Sequence, residues 1–173
     1  MTPRLTDYEA AVAAFRSHAA GIPMDRWERP HAEGKWSPAQ ETEHVVLSHE
    51  LFLSQLHGGP PMRAIVTGWK LIALRWVALP WILRTGRFPR GARAPRESRP
   101  VATGASRGDL LARLDRAVQG VTATLGGDAP RTRRPRMRHP YFGMMTVTQV
   151  LVLSTLHTRH HLTRMQTEPA ARQ

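Results

Sequence analysis

The residues best suited to chemistry are histidines near the C-terminus. In the run LHTRHH at residues 156–161, His157 and His161 stand four residues apart. If the run is helical, both side chains lie on one face, so two imidazoles can bind one metal ion. His160 lies about 100° around the helix from His161 and cannot share the ion comfortably. Histidine pairs also occur by chance, and a backbone carbonyl can satisfy a core histidine, so this pair alone does not establish a metal site.

A third candidate ligand, His44, lies in the second predicted helix, on a face with Leu47, Ser48 and Leu51. His49 is five residues further on and falls on a different face. A helical bundle can present one histidine from one helix and two from a facing helix to its core. Three nitrogen ligands leave open positions for water or substrate, as in catalytic sites. The alternative is that His44 is a surface histidine or one that only supports a ligand.

Helices must position these side chains, and apolar residues at helical spacing predict them. The first is predicted at residues 5–20 and the second at 37–57, where Ser37 and Gln40 form a capping-box pattern. A third region, residues 62–79, should be kinked or ended by Pro80.

Two more helical stretches complete the predicted bundle. Residues 109–125 are amphipathic, and Ser106 or Asp109 is the expected cap. The last helix, at residues 144–166, is apolar on more than one side and should be central. Because no segment alternates convincingly at period two, we expect an all-α four-helix bundle forming one domain over residues 1–173.

Composition narrows the functional classes. The chain has 173 residues, is 41% hydrophobic and contains no cysteine. The absence of cysteine excludes disulfides, zinc ribbons, iron–sulfur clusters and a cysteine nucleophile. The N-terminal residues have no apolar stretch followed by a cleavage site, so no secretory signal is predicted and we expect a cytoplasmic protein.

The net charge of +12 invites a nucleic-acid interpretation. However, 23 of the 25 basic residues are arginine, a bias that often reflects a G+C-rich genome. The charge is concentrated at residues 84–107 and 131–138, which lack the interleaved aromatics of a single-strand binder. We therefore expect a solvated basic loop at residues 84–108 that either lines the entrance to the site or is mobile. A surface for an acidic partner is the alternative.

The most apolar stretch is residues 71–83, LIALRWVALPWIL. It is too short to span a bilayer, and Arg75 interrupts it. Packing inside the protein is the expected role, and a membrane-surface or partner-binding helix is the alternative.

Several motifs together resemble a known family. Residues 34–44, GKWSPAQETEH, resemble the G-x-W-S/T entry into the second helix of the DinB-like superfamily, which includes YfiT-type and bacillithiol or mycothiol S-transferase proteins. Residues 156–162 resemble its H-x3-H motif near the end of the fourth helix. Residues 139–149 resemble the HP-x-FG-x-(L/M)-T-x-x-Q lead-in of one subgroup.

The resemblance covers nearly the whole chain in order and spacing. It implies a four-helix bundle, often dimeric, that holds a divalent metal on His44, His157 and His161. The basic insertion around residues 88–100 matches one subgroup only and leaves the substrate open.

Two functions remain open at this point. In the first, the metal activates a small-molecule thiol, since the chain has no thiol of its own, or it activates water. Zinc or nickel is expected first and iron is also suitable, with a small-molecule substrate, a homodimer, and neither nucleic-acid nor membrane contact. Glu41, Glu43 and Glu50 are near His44 in sequence, but none is assigned as a general base. In the second, the protein is a non-catalytic metal-binding stress-response or interaction protein with an acidic partner.

Overall fold

The computed structural model describes residues 3–30, 32–89, 93–101, 105–126 and 136–167. Its elements are, in chain order, α1 (Pro3–Gly21), α2 (Met24–Trp27), α3 (Pro38–Leu56), α4 (Gly68–Ala73), a π-helical turn (Leu74–Ala78), α5 (Leu79–Thr85), a 3-10 turn (Arg96–Ser98), α6 (Arg107–Gly126), β1 (Met137–His139), β2 (Gly143–Met145) and α7 (Val147–Gln166). The α4, π-helical and α5 turns follow one another without a break, and we call residues 68–85 the α4–α5 segment.

The four long helices α1, α3, α6 and α7 form a bundle, which confirms the predicted all-α fold. α1 packs against α6 and α7, and α3 packs against the same two helices. Their apolar faces meet in a core that includes Tyr8, Phe15, Val45, Leu114 and Leu151. The last helix is central as predicted, since α7 contacts α1, α3 and α5.

Side-chain caps set where the bundle helices begin. Ser37 Oγ accepts a hydrogen bond from the backbone N–H of Gln40, whose side chain accepts from the Ser37 N–H, so the predicted capping box is confirmed. The Asp109 N–H donates to Ser106 Oγ at the start of α6, which assigns that cap to Ser106. Each cap satisfies a backbone donor that the helix itself leaves without an acceptor.

The helix predicted at residues 62–79 is placed differently. Residues 62–67 are not helical, because the N–H groups of Ile65 and Val66 donate to the carbonyl of Pro140. The α4–α5 segment begins at Gly68 and continues past Pro80 to Thr85, so Pro80 does not end it. The π-helical turn comes just before Pro80, where a proline ring would clash with the carbonyl four residues earlier in a regular helix. Gly86 ends the segment with a left-handed φ of 69°.

A small hairpin precedes α7 and corrects the predicted start of that helix. Residues 144 and 145 lie in β2, and α7 begins only at Val147. The hairpin is antiparallel, with Met137 opposite Met145, and Gly143 has the positive φ that its turn requires. Three-residue strands are too short to show a period of two, which is why sequence patterning missed them.

The α4–α5 segment packs on the bundle through one side only. Leu79 and Ile82 form a second small core with Phe142, Met145 and Leu153. The opposite side, which carries Trp69, Ile72, Trp76, Val77 and Trp81, is exposed. Interior packing, the expected role of residues 71–83, is therefore wrong for this outer face. Among the described residues, no helix is long and apolar enough to cross a bilayer.

Candidate metal centre

His44, His157 and His161 come together where α3 faces α7. The Nε2 atom of His157 lies 3.2 Å from Nε2 of His44 and 3.0 Å from Nε2 of His161. One ligand atom from each residue lies within 4.8 Å of the other two. Helical spacing brings His157 and His161 to one face of α7, and packing of α3 against α7 brings in His44.

The protonation of His44 follows from its other ring nitrogen. Its Nδ1 lies 2.6 Å from the backbone carbonyl oxygen of Ser98, in the 3-10 turn of the basic loop. Because a carbonyl can only accept, Nδ1 carries the proton and donates it to this bond. The Nε2 lone pair of His44 therefore points toward the other two imidazoles, as a metal ligand requires.

A carboxylate fixes the proton of His161 on the same ring nitrogen, Nδ1. Its Nδ1 donates to Oε2 of Glu41 at 2.5 Å, and both side chains are buried. The other oxygen of Glu41 lies 2.8 Å from the guanidinium of Arg164, which balances the buried charge. A carboxylate behind a histidine fixes the ring and raises its basicity toward a metal.

All three histidines are held in the neutral form that binds metals. Burial lowers the pKa of His44, although its hydrogen bond to Ser98 partly offsets the effect. Burial lowers the pKa of His157 well below the usual value, and the neighbouring His161 and His44 lower it further. The pKa of His161 is also well below the usual value, first because of burial and then because of His44. At neutral pH none of the three rings needs to lose a proton to bind a cation.

The donor set fits a divalent ion. The Nε2 atoms of His44 and His161 both carry lone pairs, and both face Nε2 of His157. A proton on His157 could bridge to only one of them, whereas a shared cation would satisfy all three. Nitrogens about 2.0–2.1 Å from a tetrahedral ion lie about 3.3 Å apart, close to the separations found here. Among the residues that the structure describes, the group has three ligands and no fourth.

Aromatic rings line the approach to this group. His157 is only half-buried, whereas His44 and His161 are buried. The ring of Phe88 lies 5.9 Å from that of His157 and 5.1 Å from that of His160. Trp36 lies 5.0 Å from the ring of His44 on another side. The open side of the group is therefore next to His157 and Phe88.

His160 lies outside the group of three, as its position around the helix predicts. The basic loop contacts the site through Phe88 and through Ser98, and the N–H of Val101 donates to Glu43 on α3. The described part of this loop thus borders the site. Residues 102–104 of the loop, like 90–92, are outside the described residues.

Sequence reasoning missed the residues that support the ligands. The sequence marks Glu41 only as one of three carboxylates near His44, and no pattern in it indicates Ser98. A capping-box helix that presents His44 also presents the residue three positions earlier, so Glu41 could have been placed on the same face. Nothing local points to Ser98, because 54 residues separate it from His44.

His49, on α3, is a further buried histidine outside the group of three. Tyr8 donates through its hydroxyl to Nδ1 of His49 at 2.8 Å, and Nε2 of His49 lies 2.9 Å from Oγ1 of Thr158. Thr158 donates its own proton to the carbonyl of Ser154, so its oxygen accepts from His49. This chain of hydrogen bonds joins α1, α3 and α7 and fixes the residue next to His157.

The comparisons with known proteins give one match. No curated protein and no solved structure matches the chain. The family model of the DinB superfamily matches residues 7–165, nearly the whole chain, with all three histidines inside the matched region. Together with the helical bundle and the convergent imidazoles, this match shows that the chain belongs to the DinB superfamily.

Proposed function

We propose that the protein is a metal-dependent enzyme in which His44, His157 and His161 hold one divalent ion that activates a small-molecule thiol or water. The single observation that carries the proposal is the convergence of three Nε2 atoms, with the rings of His44 and His161 each held through Nδ1 by a hydrogen bond. Zinc or nickel is the expected ion, and iron also suits imidazole ligands. When bound by neutral ligands, such an ion keeps its full charge and lowers the pKa of a coordinated thiol or water.

The chain's own residues would bind and orient the reactants. Phe88 and Trp36 supply apolar surface beside the histidines. Arg96 and Arg99 lie within two residues of Ser98 and are exposed, so they can bind the carboxylates that small thiols usually carry. The cleft lined by His18, Arg26 and Gln166 contains none of the three histidines and is separate from this site.

The nearby carboxylates are already engaged and do not serve as a free general base. Glu41 binds His161 and Arg164, and Glu50 pairs with Arg113 at 2.7 Å. Glu43 accepts from the N–H of Val101. This favours a thiol, because a thiol coordinated by such an ion would lose its proton to solvent outright, whereas coordinated water would ionise only near pH 7.

A spectroscopic titration tests the proposal. Protein without a histidine tag is first analysed for bound metals, then loaded with cobalt(II) and titrated with a small thiol at pH 7. We expect a near-ultraviolet sulfur-to-cobalt band that is absent from His44→Ala. The control is His57→Ala, which removes an imidazole from the exposed end of α3, where it contacts Thr124.

Two other outcomes would change the proposal. If cobalt binds but several thiols give no band, activation of thiols is excluded and water becomes the expected reactant. If the untagged protein binds no divalent ion at all, the proposed metal-dependent function is wrong.

A further inference from the structure

The α4–α5 segment presents an apolar face that nothing described in the chain covers. Trp69 is 74% exposed, Trp76 73%, Val77 70% and Ile72 61%, and Trp81 lies beside them at 45%. Tryptophan is among the residues a protein least often leaves in water. Contiguous apolar surface of this kind marks a binding site.

The face is held rigidly rather than left loose. On the inner side Leu79 and Ile82 are buried against Phe142 and the hairpin. The guanidinium of Arg75 donates to the carbonyl of Phe142 at 3.1 Å. The tryptophans are therefore exposed because the inner side is fixed to the bundle, and rotating the segment to bury them would break that core.

The charged residues along the segment are all of one sign. Between Glu50 and Glu97 the sequence has no aspartate or glutamate, whereas eight arginines and lysines fall in this stretch. Of these, Arg63, Lys70, Arg84 and Arg87 are exposed in the structure. Lys70 lies over the ring of Trp69, 5.9 Å from its centroid. Within the segment itself the charged residues are Lys70, Arg75 and Arg84, all cationic, and the carboxylate of Glu97 lies only at the N-terminal flank, where it accepts from the N–H of Arg63.

We propose that this face docks on an anionic lipid surface, with the segment lying in the plane of the membrane. Tryptophan rings favour the headgroup boundary, and arginine and lysine bind anionic headgroups beside them. The segment is too short to cross a bilayer but has the composition of an interfacial helix. A second copy of this chain fits less well, because two such faces would bring like charges together.

The proposal replaces the sequence-based expectation that the protein makes no membrane contact. The proposal also places the histidine group near the membrane surface, since Phe88 comes three residues after the end of α5 and its ring lies against those of His157 and His160. The docked face and the open side of the histidine group are therefore joined by a few residues of chain.

Vesicle binding tests the docking surface. The full chain is mixed with sucrose-loaded vesicles that contain either phosphatidylcholine alone or phosphatidylcholine with about 30 mol% phosphatidylglycerol. The vesicles are then sedimented, and the protein bound to them is measured. We expect binding to the anionic vesicles, a blue shift of tryptophan fluorescence, and weakening by salt. Trp27 is buried and should not contribute to the shift.

Matched variants separate the face from the overall charge. Trp69→Ser combined with Trp76→Ser should reduce binding at least tenfold and abolish most of the blue shift. Lys70→Glu combined with Arg84→Glu should reduce vesicle binding by a similar factor. Arg4→Glu with Arg116→Glu makes the same change in net charge on exposed residues of α1 and α6 and should retain most of the binding. Circular dichroism of each variant checks that the bundle is folded.

Three results would overturn the proposal. The first is no binding to anionic vesicles by the folded wild-type chain. The second is an equal loss of vesicle binding in the Arg4/Arg116 variant and the Lys70/Arg84 variant. This would mean that binding depends on the overall net charge and not on the apolar face. The third is a lipid-free dimer, seen by analytical ultracentrifugation, that Trp69→Ser with Trp76→Ser converts to monomer, which would assign the face to a second copy.

Discussion

At the scale of single residues, the three imidazoles differ from their neighbour His160 in where their nitrogens point. Replacing His157 or His161 with Ala should reduce affinity for zinc at least 100-fold, because two remaining nitrogens hold the ion poorly. His160→Ala should leave the metal content unchanged, since His160 packs on Phe88 outside the group. Equilibrium dialysis of untagged protein followed by elemental analysis measures both. Loss of metal from His160→Ala would show that the ligand set is different.

The proposed metal site gives Glu41 a positioning role, because its carboxylate accepts a hydrogen bond from His161. Glu41→Gln keeps the shape but replaces the carboxylate oxygen with a weaker acceptor, so affinity for zinc should fall by about 10- to 100-fold. Competition with a chromophoric chelator measures the change. Glu50→Gln is the matched control, because Glu50 is on the same helix but pairs with Arg113 away from the site. Equal effects of the two variants would contradict a supporting role for Glu41.

At the scale of the elements, two motifs of the family have a structural meaning. The segment around Trp36 and Ser37 is the capping box that starts α3 and packs a ring against His44. The segment from residue 139 to residue 149 is the hairpin turn followed by a second capping box, made by Thr146 and Gln149 at the start of α7. Each motif begins a helix that carries candidate metal ligands, so it sets the direction from which they enter the core.

The cap on α7 predicts a stability change at an exposed position. Thr146→Ala removes the acceptor for the Gln149 N–H, 3.2 Å away, and should lower the free energy of unfolding by about 1 kcal/mol. Thr146→Asp keeps an acceptor and should retain the stability. Urea denaturation followed by circular dichroism measures both variants. If Thr146→Asp is destabilised as much as Thr146→Ala, the effect does not come from the cap.

At the scale of the whole molecule, the buried His49 couples stability to pH. Burial lowers its pKa from 6.5 to about 4, so between these values the unfolded chain binds more protons than the folded one. The stability that neutral His49 permits is present above about pH 6.5 and is lost as pH falls toward 4, at up to ~1.4 kcal/mol per pH unit.

A comparison of pH profiles isolates this histidine. Urea denaturation of the metal-free protein at pH 7, 6 and 5 should show falling stability in wild type and a shallower fall in His49→Gln, which cannot titrate. The other histidines remain in both proteins, so their contribution cancels. Parallel profiles would mean that His49 is not the group that couples folding to protons.

The sequence alone determined the all-α class, the Ser37 cap and the pairing of His157 with His161, because each depends on residues within one or two helical turns. It also indicated His44, through a motif that fixes the start of α3. Zinc, nickel or iron and a thiol partner remain proposals.

Tertiary structure alone decided which residues hold the three candidate ligands in place and which side chains of the α4–α5 segment are exposed. Glu41 and His161 are 120 residues apart, and Ser98 reaches His44 from a loop with no regular pattern. The apolar stretch at residues 71–83 has the same composition whether its tryptophans are inside or outside. Only packing of Leu79 and Ile82 against the hairpin turned the tryptophans toward solvent. Contacts between distant segments depend on how whole helices pack, and local spacing carries no information about that packing.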